Sequence, residues 1–286
     1  MIPPPASPWC LRWQRRKHTW RHTSEGGFDR RRYDVALIGE AEARAFVETN
    51  HYTGTYPAAR RAYGLFDGVW LVGVLVLSIP LQAKVLTDVF PDLEPYDEAL
   101  ELGRLVLADV VPAPAESFFI ARVWRLERAL GLRGVVSFSD PIARTALDGR
   151  RIFPGHVGVV YQASNALGLG RGTPRTQIWL PDGAVVSQRT IQKIRQQEPG
   201  ARSAERLLVG YGARPRRAGE EPRDWLREVW VAVRARRVRH PGCWRFGFPL
   251  DARVHVAIEP RSYPCPCEAC RAREKQARVT LAACVR

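Results

Sequence analysis

The chain has 286 residues, 45% of them hydrophobic, which suffices for a full core in one large domain or in one domain with a sizeable extension. Lys and Arg number 44 against 29 Asp and Glu, a formal net charge of +15. No stretch approaches the ~20 apolar residues of a membrane span, and the Pro- and Trp-containing start lacks the apolar run of a signal peptide, so a cytoplasmic protein is expected.

Residues 1–33 show no apolar periodicity and read as a flexible basic arm. Tyr33–Ile38 reads as a strand and Glu40–Thr49 as a helix with Ala43, Phe46 and Val47 on one face. Arg61–Asp67 and Val69–Ile79 are two strands joined at Asp67-Gly68, where both turn positions are expected to need positive φ. The second strand is apolar throughout and should be buried on both faces. Glu101–Ala108 is a further strand, and after the Pro112-Ala113-Pro114 break Ala115–Leu130 forms a helix closed by Gly131. Gly134–Phe138 is a strand, Ile142–Leu147 a short helix and Gly158–Gln162 another strand. This order predicts an α/β (α+β) fold with a mixed central sheet flanked by helices. The helix after the central strand has unpaired N–H groups at its start, a natural place for a pyrophosphate.

Beyond residue 170 the sequence becomes Arg-rich. Thr176–Leu180 and Ala184–Val186 form a small hairpin, and Ser187 caps a helix over Gln188–Gln197. Arg202–Val209 continues in the same style, Trp225–Val238 alternates apolar and basic residues, and Cys243–Leu250 reads as a closing strand. The expected organisation is an arm over 1–33, a core over 34–170, a basic extension over 171–250 completing the sheet, and a cysteine-containing tail over 251–286.

The charge is segregated. Residues 1–33 carry 8 basic and 2 acidic groups, 34–170 carry 12 and 16, and 171–286 carry 24 and 11. Lysine occurs only at Lys17, Lys84, Lys193 and Lys275, and guanidinium groups suit bidentate contact with phosphates and base edges. Codon bias accounts for Arg over Lys but not for the segregation, so a polyanionic partner, nucleic acid first among them, is expected. Arg60, Arg61, Arg171, Arg175, Arg189, Lys193, Arg195 and Arg202 are the phosphate-contact candidates. Cys265, Cys267 and Cys270, with Cys284 following, are candidate zinc thiolates, although the spacing is not that of a standard zinc knuckle.

Four polar blocks sit where apolar segments run out: Asn50-His51-Tyr52, Glu101-Leu102-Gly103-Arg104-Leu105, Ser139-Asp140-Pro141, and Gly155-His156-Val157-Gly158 leading to Tyr161-Gln162-Ala163-Ser164-Asn165. In this order, with Ala115-Glu116-Ser117 after the second, they resemble the Mom family of phage DNA-modification proteins, and the strand order is similar to the GNAT acyltransferase fold. The resemblance spans about residues 34–250. It implies an enzyme, phage- or mobile-element-encoded and acting in a bacterial host, that adds a carbamoylmethyl-type group to the exocyclic amine of adenine in duplex DNA and so shields it from restriction.

The resemblance makes His51, Tyr52, Asp140 and Tyr161 active-site candidates, with Asn50, Ser139 and Asn165 on the DNA side. It implies acetyl-CoA or a related acyl-CoA, with Leu107, Ala108, Asp109, Ala115, Ser117 and Phe118 as cofactor candidates. Glu116, in a loop without the usual glycines, would repel a pyrophosphate unless turned away. Iron is a second implied cofactor, with His51 and Asp140 as its candidate ligands. Each residue also has a plainer use: His51 as a cap, Asp140 as the cap of the next helix, Tyr161 as core, Asn165 as a turn, and Glu101 with Arg104 as a strand-end ion pair, the favoured reading for that pair. A neutral imidazole at His51 can take the proton of the attacking amine, and Asn165 can meet the edge of a flipped base. A GNAT acetyltransferase acting on a protein or small amine, and a non-catalytic DNA-binding protein of the same fold, are the competing functions. The oligomeric state is open, a homodimer included.

Overall fold

The computed structural model describes residues 9–264. In chain order the elements are β1 (Trp9–Gln14), β2 (Lys17–His22), β3 (Tyr33–Ile38), α1 (Glu40–Asn50), β4 (Ala59–Asp67), β5 (Trp70–Ser78), α2 (Lys84–Thr87), β6 (Ala99–Leu107), α3 (Ala115–Ala129) and β7 (Gly134–Ser139). They continue with β8 (Arg144–Thr145), β9 (Arg151–Phe153), α4 (Val159–Ala163), β10 (Leu167–Arg171), β11 (Arg175–Trp179) and β12 (Val185–Val186). The last are α5 (Gln188–Gln196), α6 (Ala201–Gly210), α7 (Pro222–Ala232), β13 (Arg236–His240) and β14 (Trp244–Pro249).

The central sheet has seven strands in the order β10-β14-β7-β6-β5-β4-β3. All neighbours are antiparallel except β6 and β7, which are parallel and joined through α3, since parallel neighbours need a crossover. This is a mixed central sheet flanked by helices, as the order of elements predicts. Leu65, Leu75, Leu77 and Leu100 of the sheet bury against Phe119, Ile120 and Val123 of α3, and a second cluster gathers Leu86, Val89 and Phe90 with Val136. Inside the first cluster, α3 carries the fully buried Glu127, which accepts two bonds of 2.6 Å from Arg61 and one of 2.7 Å from Tyr63. Arg61 is therefore committed to the core rather than to phosphate, and Arg60 pairs with Asp97 at 3.2 Å.

Two compact units divide the described residues: 9–141, 155–172 and 243–264 in the first, and 142–154 with 173–242 in the second. The second has its own sheet, β12-β11-β13, and its own core of Ile191, Ile194, Leu208, Trp225, Leu226 and Val229. It carries 18 Lys and Arg against 8 Asp and Glu, so the basic character expected after residue 170 concentrates there. The boundary is not a single point near residue 170. Of the extension, only β14 completes the central sheet, and it does so between β7 and β10 rather than at an edge.

Four local expectations are corrected. Residues 9–22 are a β-hairpin, not a flexible arm: β1 pairs with β2 through Arg15-Arg16, whose φ values of 47° and 63° form the turn without Asn or Gly. Ile142–Leu147 is not helical, since Arg144–Thr145 pairs with Arg151–Phe153 as a short hairpin. The strand expected over Gly158–Gln162 is the single-turn helix α4, too short to show a helical period. At the β4–β5 turn only Gly68, not Asp67, takes positive φ (58°), and Gly68-Val69 are the loop residues.

Candidate active site

The parallel ladder of β6 and β7 is short, running from Ala99↔Gly134 to Leu102↔Ser137. Where it ends, β6 has a register shift against β5: Leu77 faces Leu102 while Val76 faces Arg104, leaving Gly103 as the extra residue of a bulge. The bulge moves Arg104 onto the face that carries Glu101. Gly103 is required there, because a Cβ would sit 2.2 Å from the Ser78 hydroxyl.

Arg104 is the electrostatic hub of the opening. Its guanidinium donates to the Gly103 carbonyl at 2.7 Å and the Thr55 hydroxyl at 3.2 Å, and its Nε has no hydrogen-bond partner among the described residues. Burial pushes its pKa down, while Tyr52, Glu101 and Tyr161 pull it up. Burial raises the Glu101 carboxyl and Arg104 lowers it. The Tyr161 phenol is raised by burial first, lowered by a hydrogen bond with Ser137, raised by Glu101 and lowered by Arg104. Side chains from three of the four blocks thus share one field, and Arg104 is more than half of a strand-end ion pair. The lone glycine in the Glu101-Leu102-Gly103-Arg104-Leu105 strand was the available signal for it.

His51 and Tyr52 leave the C-terminus of α1, with their rings 4.1 Å apart. The His51 Nδ1 lies 2.8 Å from the Thr53 hydroxyl, and His51 is buried. Tyr161, carried by α4, packs against Phe246 at 5.3 Å and Phe248 at 6.2 Å between ring centroids. Helix α4 starts at Gly158, whose φ is +73° and where a Cβ would lie 2.5 Å from Phe246 Cε2. Gly158→Ala should therefore cost about 1–3 kcal/mol in urea unfolding and displace Tyr161.

Asp140 follows β7 and accepts the His156 backbone N–H at 2.8 Å. Burial holds the His156 imidazole down to about 4 from its ordinary 6.5, with the Asp140 charge pulling upward. Between those values the unfolded chain binds a proton that the fold refuses. Stability is full above pH 6.5 and should fall by up to about 1.4 kcal/mol per pH unit as the pH drops towards 4. Urea melts of His156→Gln across that window should lack this component.

The other candidates divide. Asn50 holds the hairpin, accepting from the Arg15 N–H at 3.2 Å and the Arg16 N–H at 3.0 Å. Ser139 is buried, with no hydrogen-bond partner for its hydroxyl among the described residues. Asn165 is exposed with φ 61° after α4, so the structure gives it the turn role. Arg171 stacks 4.1 Å over Trp244, Arg189 pairs with Glu198, Arg175 and Arg195 are exposed, and Lys193 is half-buried beside Gly200. Among the described residues, no three or more His, Cys, Asp or Glu side chains form a group able to hold a metal. His51 and Asp140 thus lack a further ligand of those types for iron. Cys265, Cys267 and Cys270 lie outside the described residues.

The cofactor candidates also divide. At the strand end Leu107 is buried, the Ala108 N–H bonds to Val72 O at 2.8 Å, and Ala108 forms a bridge with Trp13. The Asp109 carboxylate accepts from the Thr19 hydroxyl, and its carbonyl accepts from Arg21 at 2.7 and 2.9 Å. Ala108 and Asp109 thus meet the N-terminal hairpin, while Leu107 belongs to the core. The start of α3 fits an anion better: no side chain caps it, and Glu116 is turned to the fully buried Arg12, which neutralises the charge that would repel a phosphate. Ala115, Ser117 and Phe118 lie in this first turn.

The model of the Mom protein family matches residues 32–265. No curated protein matches the chain. Among solved structures, the chain is similar to a tandem GNAT protein from the clavulanic acid biosynthesis pathway, at 10% identity over 79% of this chain and 72% of that one, with a TM-score of 0.34. It is also similar to the ribosomal-protein-S5-alanine acetyltransferase from Vibrio fischeri, at 11% identity over 55% and 90%, with a TM-score of 0.34. A Bacillus subtilis acetyltransferase in complex with CoA gives 11% identity over 76% and 97%, with a TM-score of 0.27.

Proposed function

The chain belongs to the Mom protein family, and on that premise we infer that it is a DNA-modifying transferase that adds a carbamoylmethyl-type group to the exocyclic amine of adenine in duplex DNA. The observation that carries the reading is that Tyr52, Glu101, Arg104 and Tyr161 come within electrostatic reach of one another, from blocks more than a hundred residues apart at the extremes. The 18 Lys and Arg of the second unit supply the charge for holding a polyanion. Flipping an adenine out of the stack costs a few kcal/mol, which phosphate contacts offset.

A bound acyl-coenzyme A would supply carbon for the added group; acyl transfer alone leaves an N-acyl adenine and free coenzyme A thiol, so a carbamoylmethyl product needs a nitrogen donor and an N–CH2 bond-forming step besides. The start of α3 would hold its pyrophosphate through the backbone N–H groups of Ala115 to Phe118, with Arg12 keeping Glu116 neutralised. His51 takes the proton of the weakly nucleophilic amine, and Arg104 stabilises negative charge developing near Tyr52 and Tyr161. Expression in a bacterium followed by digestion of its DNA to nucleosides tests the reading. Mass spectrometry should show a modified deoxyadenosine that is lost in His51→Ala. Only unmodified deoxyadenosine, with acetylation of a protein or small amine instead, would replace this reading with that of an ordinary acetyltransferase.

A further inference from the structure

The N-terminal hairpin lies outside residues 32–265, the part of the chain that the family model matches, yet it packs directly on the Asn50-His51-Tyr52 block. We propose that this hairpin is an integral part of the site and that Trp13 is the positioning residue for His51 and Tyr52. The proposal rests on the function inferred above for its catalytic consequence, and on geometry alone for the positioning itself.

Trp13 is buried, only 4% exposed. Its ring centroid lies 5.1 Å from that of Tyr52 and 5.9 Å from that of His51, so the three rings form one contiguous aromatic wall. His51 and Tyr52 sit in a turn that contains two short-range bonds, Gly54 N–H to His51 O at 3.0 Å and His51 Nδ1 with Thr53. The hairpin adds a long-range restraint to it. At its tip Arg16 donates from its backbone to Asn50 O at 3.0 Å and from Nε to Glu48 O at 3.1 Å, and its guanidinium lies against Gly54. At its base Arg12 holds Glu116 and the carbonyls of Val111 and Pro112, at 2.9 Å each, while Thr19 and Arg21 hold Asp109. One ribbon therefore ties the end of α1 to the start of α3, with the Trp13 ring in contact with both His51 and Tyr52.

The test uses the full chain with Trp13→Ala and Trp13→Phe. On duplex DNA, Trp13→Ala should lower kcat by about 100-fold, the scale of a reacting group displaced by ~1 Å, with KM for DNA unchanged, and Trp13→Phe should recover most of the rate. Hydrogen exchange supplies a readout independent of activity: the Thr53 and Gly54 amides should exchange about tenfold faster in Trp13→Ala, with those of β7 unchanged. If Trp13→Ala unfolds, Trp13→Leu keeps apolar volume while removing the ring. Unchanged exchange at Thr53 and Gly54 overturns the proposal, as does an unchanged kcat in an active wild-type background. A wild-type protein that leaves DNA unmodified sinks the inferred function instead, and the exchange measurement then decides the role of Trp13.

Discussion

Arg12→Ala is expected to destabilise the protein by about 3–5 kcal/mol, the cost of leaving one partner of a buried ion pair uncompensated. The guanidinium is fully buried and serves four acceptors beyond its own strand neighbour: both oxygens of Glu116 and the carbonyls of Val111 and Pro112. Removing it strands a carboxylate that is itself 7% exposed, in the first turn of α3. Urea unfolding measures the loss. The pair Arg12→Met with Glu116→Leu should be much less damaging than Arg12→Ala alone, because it removes both charges together and keeps apolar volume. If Arg12→Ala unfolds at the wild-type midpoint, the hairpin is not anchored in this way.

The second large effect is on turnover. Arg104→Met should lower adenine modification by about 100-fold or more, the scale seen when one preorganised donor is removed from a reacting centre. Arg104 lowers the pKa of both Tyr161 and Glu101, so its loss drives both further towards their protonated forms. It donates hydrogen bonds to the neighbouring Gly103 carbonyl and to Thr55, which makes a folded variant the expectation. Nucleoside mass spectrometry against a matched expression level reads the change. Arg104→Lys should restore only part of the rate, since a compact ammonium cannot reproduce a planar fork. Full activity in Arg104→Met would show that the hub has a structural role only.

Much of the fold is legible in the sequence because long elements advertise their period. Tyr33–Ile38, the β4–β5 pair, and α3 with Phe119, Ile120 and Val123 on one face appear where the pattern puts them. The N-terminal hairpin is hidden because its turn is Arg15-Arg16 and its most buried side chain is Arg12, whose stabilisation comes from a residue 104 positions away. Helix α4 is hidden by its length of five residues. Of the site, the blocks holding His51, Tyr52 and Tyr161 could be read from order alone. Arg104 was underrated because an ion pair with Glu101 accounts for both charges, and its coupling to Tyr52 and Tyr161 depends on partners far apart in the chain and on the bulge at Gly103. The hairpin that meets Ala108 and Asp109 could not be foreseen, since residues 9–22 show no apolar period.

The position of β14 has a consequence for biosynthesis. Among the described residues it is the last strand made, yet it lies between β7 and β10, and the whole segment 173–242 is translated between β10 and β14. A nascent chain that has completed β7 therefore exposes one edge of that strand until residue 249 has left the ribosome. At roughly 5–20 residues per second this interval lasts several seconds. During it the unpaired edge is open to other strands, so truncation before Trp244 should yield aggregation rather than a smaller functional core.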